Sequence, residues 1–192
     1  ADPEARKASP DLARIINDRH FARIQRLLSS SEAQLAFGGE TDAATRYISP
    51  TILAGVPPDA PVMQEEIFGP LLPVLPVKDM AEAVAFVNGR PKPLALYIFS
   101  GSRGNAESLI ARTTAGGGCI NDTVLHFAHT GLPTGGVNTS GFGKAHGIHG
   151  FEAFSNARGI LRQPTRYSAI QLMYPPYTGF VRRMIDLTLR YF

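Results

Sequence analysis

Apolar residues at Leu12, Ile15, Ile16, Ile24, Leu27 and Leu28 recur at the spacing of one helix face, with Arg14, Arg19, Arg23 and Arg26 elsewhere on the surface. Ser9-Pro10-Asp11 stands before that stripe. It offers a capping hydroxyl, a first-turn proline and an acid suited to the positive helix end. The pattern therefore predicts a helix from Ser9 to the Ser29-Ser30-Ser31 run. A short strand follows at 34–37, turned by Gly38-Gly39. A second extended run covers 47–53, where Pro50 marks an edge or a break. Residues 71–77 predict a strand kept irregular by Pro73 and Pro76. Asp79 then caps a helix carrying Ala81, Ala83, Val84, Phe86 and Val87. The run 94–99 is almost wholly apolar, as expected of a strand covered on both faces. A helix over 105–114 and a strand at Cys119-Ile120 complete the pattern. Strands alternating with helices predict βαβ units and a parallel sheet, hence an α/β fold.

From Gly116 to Gly150 the texture changes. This stretch holds more than half of the 19 glycines and four of the five histidines, with little periodicity. A glycine-rich loop of that length is usually functional. The tail differs again: Tyr174-Pro175-Pro176-Tyr177 leads into a helical pattern running to Phe192, with Val181, Met184, Ile185, Thr188, Leu189 and Phe192 on its apolar side.

Composition narrows the class. The 192 residues are 44% hydrophobic and 18% charged, which excludes a disordered chain. No run of about 18 apolar residues predicts a membrane span. The first residues are polar and unlike a signal peptide, and the chain opens on Ala1 rather than Met, which leaves room for a partial chain. The net charge of +3 arises in the tail: residues 158–192 carry six arginines and one acid, whereas residues 1–157 are net −2. No basic block interleaved with aromatics appears, so no nucleic-acid partner is expected.

Generic chemical motifs fail. Gly143-Lys144 lacks the upstream glycine and downstream hydroxyl of a phosphate loop, having Asn138 and Ala145 there. The pairs His126/His129 and His146/His149 allow a zinc reading, but that spacing is far less specific than paired cysteines. Cys119, the single cysteine, excludes an intramolecular disulfide and fits a reducing compartment. With Asp122 and His126 nearby it has a nucleophile reading. The blander reading is a small buried hydrophobe.

The octet Met63-Gln64-Glu65-Glu66-Ile67-Phe68-Gly69-Pro70 resembles the E-E-[IV]-F-G-P motif of the NAD(P)-dependent aldehyde dehydrogenase superfamily. The segment from Leu132-Pro133-Thr134-Gly135-Gly136 to Ser140-Gly141-Phe142-Gly143 resembles its P-F-G-G-x-x-x-S-G-x-G loop. Three further stretches resemble the class 3 branch: Arg14-Ile15-Ile16-Asn17 with Arg19-His20-Phe21, Pro93 to Tyr97, and His146-Gly147 ahead of Phe151 and Phe154-Ser155. Asn121 to His126 and Tyr174 to Tyr177 look most like the bacterial coniferyl aldehyde dehydrogenase members of that branch.

The resemblance implies the following. The fold is the parallel-sheet catalytic domain of that family, with residues 1–156 its cysteine-domain portion. Residues 157–192 form an oligomerisation strand (157–162) and an amphipathic tail. The activity is oxidation of aromatic or medium- to long-chain aldehydes to carboxylic acids with NAD or NADP. In that family a cysteine thiolate adds to the aldehyde, hydride passes to the nicotinamide ring, and water activated by a glutamate hydrolyses the thioester. The nucleophile, the general base and the cofactor domain lie upstream of the segment matching Ser9 to Phe21, so this chain alone is expected to be inactive. Cys119 falls where relatives carry an ordinary strand residue. Glu66 matches the carboxylate that holds the nicotinamide ribose, and Phe68 the aromatic packed beside the nicotinamide. Val124, Phe127, Ala128, Thr134 and His146 match the wall of the aldehyde tunnel. Thr134 stands where relatives usually have phenylalanine, which widens or polarises that pocket. Asn138 replaces a common glycine and is expected at positive φ. A homodimer in a cytoplasmic setting is implied, with membrane-surface contact by the tail helix as a second reading. The rival reading is a non-catalytic relative kept for dimerisation.

Overall fold

Asp2 opens the first helix by accepting a hydrogen bond from the Glu4 amide at 3.2 Å, and Pro3 suits the first turn of α1 (Pro3–Ala8). The computed structural model describes residues 2–191, and the chain divides into two compact units at Arg90/Pro91.

In the first unit the long helix starts later than expected. α2 spans Asp18–Ser29, and Asn17, not Ser9, is its cap, accepting from the His20 amide at 2.9 Å. Ser9 Oγ accepts from the Asp11 amide at 3.2 Å and closes only a local turn. The intervening residues are held in other ways. The Ile15 amide donates to Arg46 O at 3.1 Å, and the Arg14 guanidinium donates to the carbonyls of Leu12 and Lys7 and stacks over Tyr47. Ile16 consequently lies exposed, and the buried stripe contracts to Phe21, Ile24 and Leu27.

Five strands follow: β1 (Gln34–Phe37), β2 (Thr41–Asp42), β3 (Tyr47–Ile48), β4 (Thr51–Ala54) and β5 (Leu71–Val74). β1 pairs antiparallel and β5 parallel with the central β4, while β2 and β3 form a separate hairpin. Pro50 breaks the second extended run between β3 and β4, as its missing N–H dictates. Gly38 is needed at its turn. Its φ is +76°, and a Cβ there would lie 2.1 Å from Pro50 O. α3 (Met80–Asn88) is capped by Asp79, which accepts from the Glu82 amide at 2.9 Å. Ile24, Leu27, Leu53, Val62 and Leu71 form the core between α2 and the sheet. Each such side chain contributes about 1.5–3 kcal/mol by leaving water.

The second unit is built on a βαβ element. β6 (Ala95–Ile98) and β7 (Gly117–Ile120) are parallel neighbours joined through α4 (Arg103–Arg112), whose cap Ser102 accepts from the Asn105 amide at 3.3 Å. β6 is not covered on both faces as its composition suggested. Leu94 and Phe99 at its ends are exposed, and Leu96, Ile98, Ile110 and Ile120 line an open depression of about 580 Å³. Among the described residues β6 pairs only with β7; in the depression Ile98 is buried, while Ile110 and Ile120 are exposed. The parallel pairs β4–β5 and β6–β7 thus belong to different units.

The glycine-rich stretch carries α5 (Leu125–Ala128) and α6 (Gly147–Ala153). Residues 157–162 form no strand among the described residues, and Ile160 and Leu161 are exposed. α7 spans Gly179–Tyr191 and packs on the turn Ala169–Met173. Val181 is buried, and Met184, Ile185 and Thr188 are half-buried. Leu189, expected on the apolar side, is exposed, and Phe192 lies outside the described residues. Among the described residues no helix is long and apolar enough to cross a membrane.

Candidate functional site

In the first unit, Glu65 to Pro70 connect the turn Pro61–Met63 to β5. The loop is tied down at several points. The Thr51 amide donates to Pro70 O at 2.8 Å, and Ile67 packs against the core. Gly69 sits on α2 so closely that a Cβ would lie 2.6 Å from Ile24 Cδ1. The two glutamates then part ways. Glu65 accepts from Arg26 Nη2 at 3.0 Å and from Arg23 Nη1 at 3.4 Å. Glu66 is exposed, and its carboxylate has no partner among the described residues. Phe68 adopts φ +43°, an uncommon conformation for a bulky residue, and is 80% exposed. Glu66 and Phe68 together edge an open depression of about 620 Å³, whose other walls include Arg14, Ile16, His20 and Arg23. An acceptor carboxylate beside an exposed aromatic face suits a ligand with hydroxyl donors and a flat ring.

In the second unit, Val124, Phe127 and Thr134 line a depression of about 270 Å³. His146 joins them through two contacts. Its Nδ1 is 3.1 Å from Thr134 Oγ1, and its ring meets Phe127 edge-on at 5.3 Å. Thr134 is itself fixed by a bridge to Ala145, with N···O distances of 3.1 and 2.7 Å. Val124 has φ +63°, a strained state for a β-branched side chain, as the chain enters α5. Ala128, expected in this wall, lies exposed on α5 and does not line the depression. Ala128 directly follows Phe127 on α5, so its side chain points about 100° round the helix from that ring.

Tyr97 was missed as a wall residue; its ring meets that of His126, also in this wall, edge-on at 5.7 Å. Its sequence signal was a polar-tipped aromatic within the apolar run 94–99. Cys119 is not a core residue but half-buried. Its Sγ accepts from the His126 amide at 3.4 Å and lies 3.5 Å from His126 Nδ1. Among the described residues no group of three or more His, Cys, Asp or Glu could hold a metal ion. Asn138 has φ +53°, as its replacement of a glycine suggested.

The aldehyde dehydrogenase family model matches residues 3–160. The chain belongs to the aldehyde dehydrogenase family. This aldehyde dehydrogenase chain is 52% identical over 171 residues to aldehyde dehydrogenase family 3 member A2 of Pongo abelii, covering 88% of this chain and 35% of that protein. It is 49% identical over 161 residues to the bovine (Bos taurus) "Aldehyde dehydrogenase, dimeric NADP-preferring", covering 84% of this chain and 66% of that protein. A substrate-bound Staphylococcus aureus AldH structure matches with TM-score 0.83 and 41% identity, over 95% of this chain and 40% of that one. The chain thus spans about a third of the Pongo abelii protein's length.

Proposed function

We propose that the protein carrying this chain oxidises aromatic or medium- to long-chain aldehydes to carboxylic acids, with NAD or NADP as hydride acceptor. Family membership supports the reaction class. The observation that carries the cofactor assignment is Glu66, an exposed carboxylate without a partner among the described residues, beside the exposed Phe68. Both fit a nicotinamide ribose. An ionised carboxylate accepts from two vicinal hydroxyls, and an aromatic face holds a flat ring in place. The dinucleotide, when bound, supplies the hydride acceptor. Glu66 fixes the sugar and Phe68 limits the ring's travel, which lowers the orientational part of the barrier.

Val124, Phe127, Thr134 and His146 supply the aldehyde wall in this reading. The apolar surface favours a chain or ring at about 0.8 kcal/mol per buried CH₂. The Thr134–His146 contact adds a polar point, and coniferyl-like aldehydes, which carry oxygen substituents, suit it. The attacking cysteine and general base come from a preceding segment. In the protein encoded by the complete reading frame, Glu66→Gln should slow hydride transfer, read as the first-turnover rate, more than it weakens aldehyde binding. An unchanged rate removes Glu66 from the cofactor role. Measurable NADH or NADPH production by the 192-residue chain alone would refute the division of labour.

Residues 157–192 are the assembly portion in this proposal, set against a catalytic portion of 1–156. Exposed Ile160 and Leu161 within an unpaired segment support a strand completed by a second copy in a homodimer. The bovine relative is named dimeric. Cytoplasmic residence goes with this reading. Contact of α7 with an anionic membrane surface is the second reading, favoured by exposed Phe180, Leu187 and Leu189 beside arginines 182, 183 and 190. Co-sedimentation with anionic liposomes, with and without residues 178–192, separates the two; equal recovery removes the membrane contact.

A further inference from the structure

Arg23 has a place in the loop that neither its motif nor its charge announces. It stands on α2 between the buried Phe21 and Ile24, so its Cα is fixed by the core. The side chain is only 21% exposed. Its two terminal nitrogens reach the backbone of the Glu66 loop. Nη1 donates to Glu66 O at 3.0 Å, and Nη2 donates to Ile67 O at 2.6 Å. These are the two peptide carbonyls immediately before Phe68, the residue at φ +43°. Nη1 also lies 3.4 Å from Glu65 Oε2, while Arg26, one turn on, holds the other oxygen of that carboxylate.

A strained aromatic keeps its conformation only if its surroundings over-determine it. Here the constraint is a planar guanidinium gripping two consecutive carbonyls, which fixes both peptide planes at once. A lysine ammonium can neutralise the same charge and meet both carbonyls, but its donors converge on one atom and lack the rigid planar fork that holds both peptide planes. Gly69 against Ile24 and Pro70 O on the Thr51 amide hold the far side of the loop. Arg23 is the contact that holds the near side, where Glu66 and Phe68 are aimed.

We propose that Arg23 is the positioning residue of the cofactor loop, gripping the Glu66 and Ile67 carbonyls so that the Glu66 carboxylate and the Phe68 ring are presented together. The role rests on the cofactor reading of those two residues.

The chain contains no tryptophan, so Phe68→Trp introduces a single indole at the loop. Adding Arg23→Met to that variant lowers the indole's steady-state fluorescence anisotropy, and Arg23→Lys gives an intermediate value. In the protein encoded by the complete reading frame, with Phe68 intact, Arg23→Met raises the cofactor KM and lowers kcat by roughly 10-fold each, at unchanged aldehyde KM. Arg23→Lys recovers part of both and carries the test if the methionine variant does not fold. Unchanged anisotropy overturns the grip, whatever the kinetics. Lowered anisotropy together with a kinetically silent Glu66→Gln shows a loop anchor at a loop without cofactor function, and overturns the positioning role along with the cofactor reading. A uniform loss in every kinetic constant, matched by a lowered melting temperature, overturns it in favour of a purely structural role.

Discussion

Lys144 offers the sharpest test of how the glycine-rich loop is held. Its Nζ donates to Gly135 O at 2.6 Å, Gly116 O at 2.9 Å and Gly136 O at 3.2 Å. One ammonium therefore joins the residue just before β7 to the loop that carries Thr134. Gly136 is buried, whereas Gly116 and Gly135 are half-buried. Hydrogen bonds to a charged group contribute about 1.5–3 kcal/mol each before offsets. Desolvating the ammonium and ordering its stem remove much of that sum. In Lys144→Met the buried Gly136 carbonyl loses its donor outright, at about 1–3 kcal/mol, while water partly serves the other two. We expect a net loss of about 2–4 kcal/mol. For a unit of about 100 residues that lowers the melting temperature by at least ~8 °C. Urea unfolding followed by near-ultraviolet circular dichroism reads the aromatic environment that includes Tyr97 and Phe127. Lys144→Arg, which keeps charge and reach, should recover part of the loss. If Lys144→Met unfolds within ~0.5 kcal/mol of the parent, the three carbonyls are served equally well by solvent and the tripod has no stabilising role.

Two further predictions concern the first unit. Asp42 is held down to about 2 from its ordinary 3.8 by hydrogen bonds from Lys7, then Thr45, with the Ala44 amide adding to them, and the Lys7 ammonium is raised in return, chiefly by its hydrogen bond to Asp42. A depressed carboxylate stabilises fully above its unfolded pKa, so the tie between α1 and β2 should persist above pH 4 and be lost as pH falls through about 2. The raised Lys7 works at the other end: its share is complete below pH 10.5 and lost as pH rises past its folded value. A carboxyl NMR titration checks the acid limb; Lys7→Met should move the Asp42 midpoint back toward 3.8, and an unmoved midpoint contradicts the pairing. The cap position is tested by Asn17→Ala, expected to cost about 1 kcal/mol in urea unfolding, against Ser9→Ala, expected near zero. A reversed order would restore the helix start that the sequence suggested.

The second helix shows how sequence and structure divided the work. Ser9-Pro10-Asp11 and Asn17-Asp18 are both sound starts by local chemistry. The choice was made by Arg46 O, which takes the Ile15 amide from 31 residues away, and by Arg14 turning back to Leu12 and Lys7. No local pattern contains that partner. Strand 94–99 repeats the lesson for burial. Its apolar run specified a strand, but which faces are covered depends on what else packs there.

Site residues divided in the same way. Glu66, Phe68, Thr134 and His146 could be named because a motif keeps its spacing, and spacing is a property of the sequence; their roles are proposals. Arg23, Tyr97 and Lys144 could not be named in advance, since each acts on backbone or rings brought to it by folding. The sequence by itself determined the α/β alternation, the cap at Asp79, the break at Pro50 and the family, all written in local propensity or ordered motifs. Only the tertiary structure decided which of two glutamates is paired and which has no partner among the described residues, and which arginine grips the loop. Those outcomes depend on angstrom-scale distances between segments 40 or more residues apart, which hydrogen bonding reads and sequence spacing does not.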